Sequence, residues 1–351
     1  MSTATLQPAR HEDLRLVSGQ GRYAADWNLP GQAYAYMIRS DRPHALLKSL
    51  DLSAVRAAPG VLLVLSADDV VAAGFKSLPT GAPLVDKDGK DQKVAAMPVL
   101  ASGKVCFVGQ PIAMVIASSA KLAQDASELA MIDYDDLPPL ASVAKALSGG
   151  AATIHPQAPG NIALDFEAGN AAAADAAFAA AKFKTTHRIH SQRLVGAPME
   201  LRACMASYDA VRDAYQVYTP TQGMLGMRGT LNAVSGVPAD KIEVIAQDVG
   251  GSFGLRGGTY SEQVLLMLAS KKLSRPVKWT ASRSELFVSD WHGRALTLEG
   301  SLALDADGKI LAIRFEDTID LGAFNCYWGA FIGSKNVSVT MGGVYRVMRC
   351  I

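Results

Sequence analysis

The residues best suited to chemistry lie together in one glycine-rich stretch, residues 248–258, with the sequence DVGGSFGLRGG. Five of these eleven residues are glycines, and a loop needs so many only where φ is positive or a bulky group approaches closely. Phe253 is flanked by these glycines and is expected to be held rigidly, with backbone N–H groups free to point at a ligand. At the junction of a strand and a helix, such N–H groups favour anionic or oxo ligands. The alternative is a tight turn around a packed Phe253.

Two regular elements must position this stretch. The alternating residues 242–246 predict a buried strand before it, and the apolar spacing of residues 261–272 predicts a helix after it. The glycines lack the G-x-G-x-x-G spacing, and the Lys-Ser/Thr pair of a phosphate-binding loop is absent. We therefore exclude a nucleotide-binding loop.

Composition indicates a folded globular protein with two or three domains. Hydrophobic residues make up 49% of the 351 residues and charged residues 19%. The formal net charge of +1, without a Lys/Arg-rich run, argues against nucleic acid and anionic membranes as partners. No apolar run approaches the ~18 residues of a spanning helix. Residues 1–12 are polar and show no signal peptide.

Cysteine spacing limits the metal chemistry that this chain can perform alone. The four cysteines, Cys106, Cys204, Cys326 and Cys350, are far apart and form no C-x-x-C pair. This spacing excludes a local zinc or iron–sulfur motif. We expect a reducing environment and a cytoplasmic protein.

The order of elements predicts an α+β fold. Residues 1–20 are expected to form an extended arm, residues 21–140 a first unit, residues 141–182 a linker rich in Ala, Gly and Pro, and residues 183–351 a second unit. In the first unit, the continuously apolar residues 61–65 predict a central strand.

Two patterns in the second unit are more specific. Residues 224–235 predict a helix that ends before Gly236, a residue suited to the left-handed conformation. The Asp-Ala-Asp-Gly sequence at 305–308 predicts a hairpin turn between strands at 296–304 and 310–317.

Short motifs follow one another in a characteristic order along both units. In the first unit they are GQGRY at 19–23 with Asp26, RS at 39–40 with HA at 44–45, PGV at 59–61, GQP at 109–111, and DY at 133–134 ahead of LP at 137–138. In the second unit they are APME at 197–200, YTPTQ at 218–222, the glycine-rich stretch, RPVKW at 275–279, RSE at 283–285, HGR at 292–294 and DG at 307–308. Any one motif is weak evidence, but the ordered set is highly specific.

In these motifs the chain resembles the molybdopterin-binding large subunit of the xanthine dehydrogenase and aldehyde oxidase family, over residues 15–346. The resemblance implies an a/b hammerhead domain at residues 21–140. It also implies that residues 183–351 form the N-terminal part of a mixed α/β molybdopterin-binding domain.

The resemblance assigns five residues to the molybdenum cofactor. Gln222 matches the glutamine whose side chain faces a molybdenum oxo ligand, and Gly251, Ser252, Phe253 and Gly254 match the loop against the metal and the dithiolene. An amide can hydrogen-bond an oxo group without adding charge, and rigid N–H groups can do so without reorganisation. The alternatives are that Gln222 only enters a helix and that Phe253 only packs in the core.

Four other polar residues carry weaker expectations. His292 and Arg294 could contact cofactor or partner, but a histidine near a strand start is more often structural. Glu200 is expected to be a buried acid that fixes the backbone or Arg202, and Asp248 is expected to anchor the turn.

Two departures from the family pattern matter for function. Gly257 stands where purine-oxidising members have a glutamate that grips the substrate, which argues against xanthine as the substrate. The family's later Arg-Gly-Phe-Gly loop, most pterin contacts and the C-terminal glutamate that activates the metal-bound hydroxide are missing. We therefore expect no catalytic base and no metal ligand in this chain.

The first functional hypothesis is a subunit of a molybdenum hydroxylase, which oxidises an aldehyde or N-heterocycle with water-derived oxygen. A second chain would complete the molybdopterin site. Separate [2Fe–2S] and FAD subunits would carry the electrons, since neither an iron–sulfur motif nor a dinucleotide fold occurs here. The alternatives are a truncated, non-catalytic paralogue or scaffold, and a binding domain whose loop holds another anion.

Because the sheet of the second unit should continue into the half that is missing, we expect an exposed apolar surface on this unit. It includes Tyr327, Trp328, Phe331 and Val337.

Overall fold

The computed structural model of the chain describes residues 10–325, 327–336 and 348–350. Val337, which the sequence places on an apolar surface, lies outside these residues. The described part is a mixed α/β structure, which confirms the predicted fold class. Its strands are, in chain order, β1 (Ala33–Arg39), β2 (Ala45–Asp51), β3 (Val61–Leu65), β4 (Lys104–Val105), β5 (Pro111–Ala117), β6 (Met131–Asp136), β7 (Ala168–Gly169), β8 (Phe183–Val195), β9 (Ala203–Asp209), β10 (Ala214–Tyr218), β11 (Ile242–Ile245), β12 (Val277–Thr280), β13 (His292–Leu304), β14 (Ile310–Ile319) and β15 (Met348–Cys350).

The first helix precedes β1 and lies within residues 1–20, so this segment is not extended throughout, contrary to the prediction from the sequence; the other helices lie between strands. The helices are α1 (Asp13–Val17), α2 (Ser53–Ala57), α3 (Ala67–Ala72), α4 (Ala120–Ser127), α5 (Val143–Ala146), α6 (Ala171–Ala180), α7 (Met224–Ser235), α8 (Ser261–Leu273), α9 (Arg283–Ser289) and α10 (Gly329–Phe331). Helix α7 has the predicted bounds, and Gly236 after it has a φ of +73°, as a left-handed C-terminal residue should.

One sheet of seven strands runs through both predicted units, in the order β11-β10-β9-β12-β1-β5-β3. At the junction, β1 of the first unit pairs in parallel with β12 of the second, with Ala33 opposite Val277. The Ala33 N–H also donates to the carbonyl of Pro276 at 2.8 Å. The two units are therefore joined by backbone hydrogen bonds as well as by side-chain packing.

The described residues also form two smaller sheets, with the orders β7-β15-β14-β13-β8 and β4-β2-β6. Strands β13 and β14 form the predicted hairpin. Its turn contains Gly308 at a φ of +80°, and the Asp305 N–H donates to the Lys309 carbonyl at 3.0 Å. The Asp-Gly sequence therefore forms the hairpin turn that its residue types predict.

Strands β3 and β11 are the two edge strands of the large sheet, so the prediction of a central strand at residues 61–65 was wrong. The residues of β3 are apolar because they face two different hydrophobic clusters: Val64 packs into one and Leu65 into the other, whereas Leu62 is exposed. Burial of β11 is likewise incomplete, since Ile242 alone of its residues is fully buried.

Helix α8 is enclosed by protein, because its residues 261–270 are all buried. It packs against β9, β12 and β3, which places it between the two units. An amphipathic pattern alone would bury one face. Polar residues of α8 are therefore buried too, and they need partners.

A buried network of charged side chains supplies these partners. Glu262 of α8 accepts hydrogen bonds from Arg39 at 2.5 Å and from Arg202 at 2.8 Å. Arg202 also pairs with Asp290, and Arg39 with Glu285, each at 2.8 Å. Burial alone would raise the pKa of Glu262, but Arg202 and Arg39 outweigh it and hold that pKa well below its ordinary value. The network ties β1 of the first unit to α8 of the second.

Removing one cation of this network should destabilise the fold far more than breaking a surface ion pair. Arg202→Met leaves Glu262 and Asp290 buried without their shared partner, so we expect the free energy of unfolding to fall by about 3–5 kcal/mol. Lys121→Ala, which breaks an exposed pair with Asp125, should lower it by less than ~1 kcal/mol. Chemical denaturation of the two variants measures both effects, and equal losses would contradict this role of the network.

Candidate cofactor-binding site

The glycine-rich stretch forms an irregular loop between β11 and α8. Gly251, Phe253 and Gly254 have φ angles of +102°, +53° and +95°, so these three residues of the loop have positive φ. Glycine tolerates such conformations, but phenylalanine does so only at a cost in strain. Gly250 is required for another reason: a Cβ there would lie 2.4 Å from the Cβ of Glu200.

Four consecutive backbone N–H groups, those of Gly251 to Gly254, donate to no acceptor among the residues that the structure describes. The groups on either side are paired. The Gly250 N–H donates to Glu200 at 2.7 Å, and the Leu255 N–H donates to the Ser252 carbonyl at 3.0 Å. The loop thus offers a run of free donors, as the glycine pattern predicts for a loop that receives an oxo or anionic ligand.

The structure brings Gln222 against this loop. Ser252 Oγ donates to Gln222 Oε1 at 2.6 Å, and the Gln222 N–H donates to the Arg256 carbonyl at 3.0 Å. Gln222 also precedes Gly223, the N-cap of α7, so it does enter a helix. Its side chain is exposed, and its amide NH₂ has no acceptor in the described part of the chain. Five residues predicted to act together therefore lie together, with the amide donor left free.

Phe253 does not pack in the core, because its side chain is 75% exposed. Met199 and Leu225 are similarly exposed, at 89% and 74%. Met199 precedes Glu200, which accepts the Gly250 N–H, and Leu225 lies three residues after Gln222, which accepts the Ser252 hydroxyl. Of the residues predicted for an apolar surface, Trp328 is 39% exposed, and Tyr327 and Phe331 are half-buried. Three strongly exposed apolar side chains are thus found beside the glycine-rich loop, although others, such as Val211 at 96%, are exposed elsewhere.

A buried ion pair supports the loop, and its cation was not identified from the sequence. Glu200 pairs with Arg256, and the two side chains are 6% and 3% exposed. Glu200 also accepts the N–H groups of Gly250 and Ala24, at 2.7 and 3.1 Å. The expected backbone-fixing role of Glu200 is confirmed, but its cation is Arg256 and not Arg202. The one signal in the sequence was a charged residue within a run of glycines.

Asp248 anchors the start of the loop, as predicted. Its two carboxylate oxygens accept hydrogen bonds from Arg15 at 2.6 and 2.5 Å, and one of them also accepts the Arg22 N–H at 2.7 Å. The hydrogen bonds from Arg15 and from the Arg22 backbone lower the pKa of Asp248 to about 2. The N-terminal arm is therefore bound to the entrance of the loop.

His292 and Arg294 lie at the start of β13 and make no hydrogen bond to the loop in the described part of the chain. His292 Nε2 is 3.0 Å from the carbonyl of Phe287, at the end of α9, which is a structural contact. Arg294 is exposed and has a φ of +66°.

Gly257 and Gly258 make room for two aromatic rings. A Cβ at Gly257 would lie 2.4 Å from the ring of Tyr327, and one at Gly258 would lie 2.1 Å from the ring of Trp291. The two rings stack with their centroids 5.6 Å apart. A glutamate at position 257 therefore does not fit unless Tyr327 moves.

A separate cavity of about 700 Å³ lies between the two units, and neither Gln222 nor residues 248–258 line it. The Asp317 Oδ1 atom is buried there without a hydrogen-bond partner in the described residues. Burial raises the pKa of this carboxyl group to about 6. The cavity and the glycine-rich loop are thus distinct features.

The residues at the loop fit the molybdenum cofactor by the chemistry of their donors. Free N–H groups and an amide NH₂ suit oxo and dithiolene ligands, and the nearby carboxylates of Glu200 and Asp248 are paired with Arg256 and Arg15. Among the described residues, no group of three or more His, Cys, Asp or Glu side chains could hold a metal ion directly. No helix in the described ranges combines the length and apolar character needed to cross a bilayer.

Two family models match the chain. Residues 18–138 match the aldehyde oxidase and xanthine dehydrogenase a/b hammerhead domain, and residues 154–350 match the molybdopterin cofactor-binding domain. The second match alone covers more than half of the chain.

Similar proteins agree with these models. The chain is 34% identical over 328 residues to the carbon monoxide dehydrogenase large chain of Afipia carboxidovorans, covering 90% of this chain and 39% of that one. It is 31% identical over 318 residues to the nicotine 6-hydroxylase large subunit of Paenarthrobacter nicotinovorans, covering 90% and 38%. It is 29% identical over 329 residues to the nicotinate dehydrogenase large molybdopterin subunit of Eubacterium barkeri, covering 93% and 72%. The chain thus spans about two fifths of the length of the first two relatives and most of the third.

Solved structures give the same result. CO dehydrogenase from Oligotropha carboxidovorans superposes with a TM-score of 0.85 at 31% identity, over 98% of this chain and 43% of that one. Quinoline 2-oxidoreductase from Pseudomonas putida 86 superposes with a TM-score of 0.82 at 30% identity, over 97% and 43%.

Asp248→Asn should weaken the attachment of the N-terminal arm in a pH-dependent way. Because the pKa of Asp248 is lowered, its ion pair with Arg15 stabilises the fold above the ordinary carboxyl pKa of about 4 and is lost as the pH falls toward about 2. We expect the variant to melt below wild type at pH 7, with the difference shrinking between pH 4 and pH 2. Thermal unfolding over this range tests it, with the exposed Asp88→Asn as control. A difference that did not change with pH would contradict it.

Proposed function

The chain belongs to the xanthine dehydrogenase and aldehyde oxidase family of molybdopterin-binding proteins, and we propose that it forms one wall of the molybdenum site of a hydroxylase. The observation that carries this proposal is the contact between Gln222 and the loop Gly251–Gly254. Both present uncharged hydrogen-bond donors that no described residue accepts. This is the donor set that oxo and dithiolene ligands require.

In this proposal each residue of the site has a separate task. Gln222 donates its amide NH₂ to an oxo ligand, while Gly251, Ser252 and Gly254 direct their backbone N–H groups at the cofactor. Phe253 packs its exposed ring against it. When bound, the molybdenum cofactor supplies the two-electron redox chemistry that hydroxylates an aldehyde or N-heterocycle with water-derived oxygen. Neutral donors stabilise negative charge there without the reorganisation that water would need.

A second chain is proposed to complete the site and to supply the base that the reaction needs. The chain spans only 39% of the carbon monoxide dehydrogenase large chain, but 72% of the nicotinate dehydrogenase large molybdopterin subunit, so a subunit of not much greater length exists in the family. Phe253, Met199 and Leu225 are exposed beside the loop, where such a chain would cover them.

The electron carriers are proposed to reside on separate subunits, one with [2Fe–2S] clusters and one with FAD. Cys106 and Cys204 are free thiols, and neither has the spacing of a cluster motif. We also retain the division into arm (1–20), hammerhead domain (21–140), linker (141–182) and partial cofactor-binding domain (183–351), with the large sheet crossing the two domains.

The chain by itself should hold little molybdenum. A cofactor enclosed between two chains loses most of its contacts when one is missing, and with them most of its binding free energy. We expect elemental analysis to find molybdenum near one equivalent only after co-expression with a chain that carries the missing motifs. One equivalent in the isolated chain would overturn the shared site. None in the co-expressed complex would favour the non-catalytic paralogue.

In such a complex, Gln222→Ala should lower the turnover rate per bound molybdenum by roughly 100-fold, by analogy with the loss of one donor to a developing charge. Gln222→Glu should lower it further, because it places a negative charge against an electron-rich ligand. Gln216→Ala, at an exposed glutamine that bonds Glu243, is the matched control. If both Gln222 variants lose melting temperature and retain the wild-type rate per molybdenum, Gln222 only supports the helix.

A further inference from the structure

Arg256 connects the two segments of the site through its main chain. Its carbonyl accepts the Gln222 N–H at 3.0 Å and the hydroxyl of Thr221 at 3.2 Å. Its own N–H donates to Ser252 Oγ at 3.1 Å, and Ser252 Oγ in turn donates to the Gln222 side chain. The position of Gln222 relative to the loop therefore depends on where the backbone of Arg256 lies.

The side chain of Arg256 fixes that backbone from the interior. Its guanidinium donates to both the carboxylate and the main-chain carbonyl of Glu200. Glu200 accepts the Gly250 N–H at the other end of the loop, at 2.7 Å, and the Ala24 N–H of the N-terminal segment, at 3.1 Å. Both ends of the four-residue run of free donors are thus held by one ion pair.

Burial makes this pair rigid. The Glu200 and Arg256 side chains are 6% and 3% exposed, so neither charge is solvated if its partner moves. Charge-assisted hydrogen bonds in such surroundings are strong and directional. Glu200 also packs closely against Gly250: a Cβ at position 250 would lie 2.4 Å from the Cβ of Glu200, so no free space remains between the two residues.

We propose that Glu200 and Arg256 are positioning residues, which set the distance and orientation between the Gln222 amide and the donors of Gly251–Gly254. The pair acts through these groups, and neither of its charges contacts the ligand. Its bearing on molybdenum rests on the proposed function, whereas its control of loop geometry does not.

Arg202 provides a matched control, because it is buried to the same extent, at 3% exposed, and pairs with the carboxylates of Glu262 and Asp290. It has no hydrogen bond to Gln222 or to residues 250–256 in the described part of the chain. A merely structural role would make Arg256→Lys and Arg202→Lys equivalent. A positioning role predicts that only Arg256→Lys alters the loop and the placement of Gln222.

Hydrogen exchange of the full chain decides between these cases. In Arg256→Lys, and in Glu200→Gln, which keeps the side-chain shape but removes the charge, we expect the amides of Gln222, Gly250 and Arg256 to exchange at least tenfold faster. The core amides of α8 should keep the wild-type rate. Arg202→Lys should show the reverse pattern. If Glu200→Gln leaves the three amides unchanged, or accelerates them only in step with α8, the positioning role is wrong.

The melting temperature of each variant, recorded under the same conditions, identifies a change that is only global. If Arg256→Lys unfolds, Glu200→Gln supplies the same comparison with no loss of side-chain volume. In the two-chain complex, molybdenum content and the molybdenum electron paramagnetic resonance signal should change for both variants and stay unchanged for Gln216→Ala. A wild-type complex without molybdenum would refute the proposed function, while the exchange result would still decide the role of the pair.

Discussion

The buried carboxylate of Glu262 is the constraint on which the rest of the structure depends. It lies in the buried part of helix α8, residues 261–270, and is shared by Arg39 from the first unit and Arg202 from the second, at 2.5 and 2.8 Å. A buried carboxylate is stable only when it is paired with a cation. If the two units separated, Glu262 would lose Arg39 and become exposed or unpaired. Together with the backbone pairing of β1 and β12, it joins the two units into one platform.

The loop that follows β11 uses this platform. Helix α8, which follows the loop directly, is held by Glu262. The beginning of the loop is held by Asp248 and Arg15, and both ends of the Gly251–Gly254 run are held by Glu200 and Arg256. The positive φ of Phe253 and the four N–H groups that no described residue accepts persist because these ion pairs fix the backbone around them.

This arrangement fits the proposed site, in which the chain forms one wall. Among the described residues, the free donors of Gln222 and Gly251–Gly254 are neutral, and the nearby charges of Glu200, Arg256 and Asp248 are paired. We propose that this wall holds and orients an electron-rich ligand, while a second chain supplies the base that moves a proton. Exposed Phe253, Met199 and Leu225 beside the donors are consistent with a surface that another chain covers. The chemistry thus agrees with a shared site in this family.

The sequence by itself determined the local features. Gly251 and Gly254, the helix at 224–235 with Gly236 and the Asp-Gly hairpin could be predicted from residue types because their causes, positive φ and turn chemistry, act over a few residues. The pairing of Gln222 with the loop came from the family motifs. Only the tertiary structure decided that 61–65 is an edge strand, that Glu200 pairs with Arg256 rather than Arg202, and that Phe253 faces outward. Apolar patterns and charges specify burial and a need for partners, but the partner is chosen by packing among residues far apart in the chain.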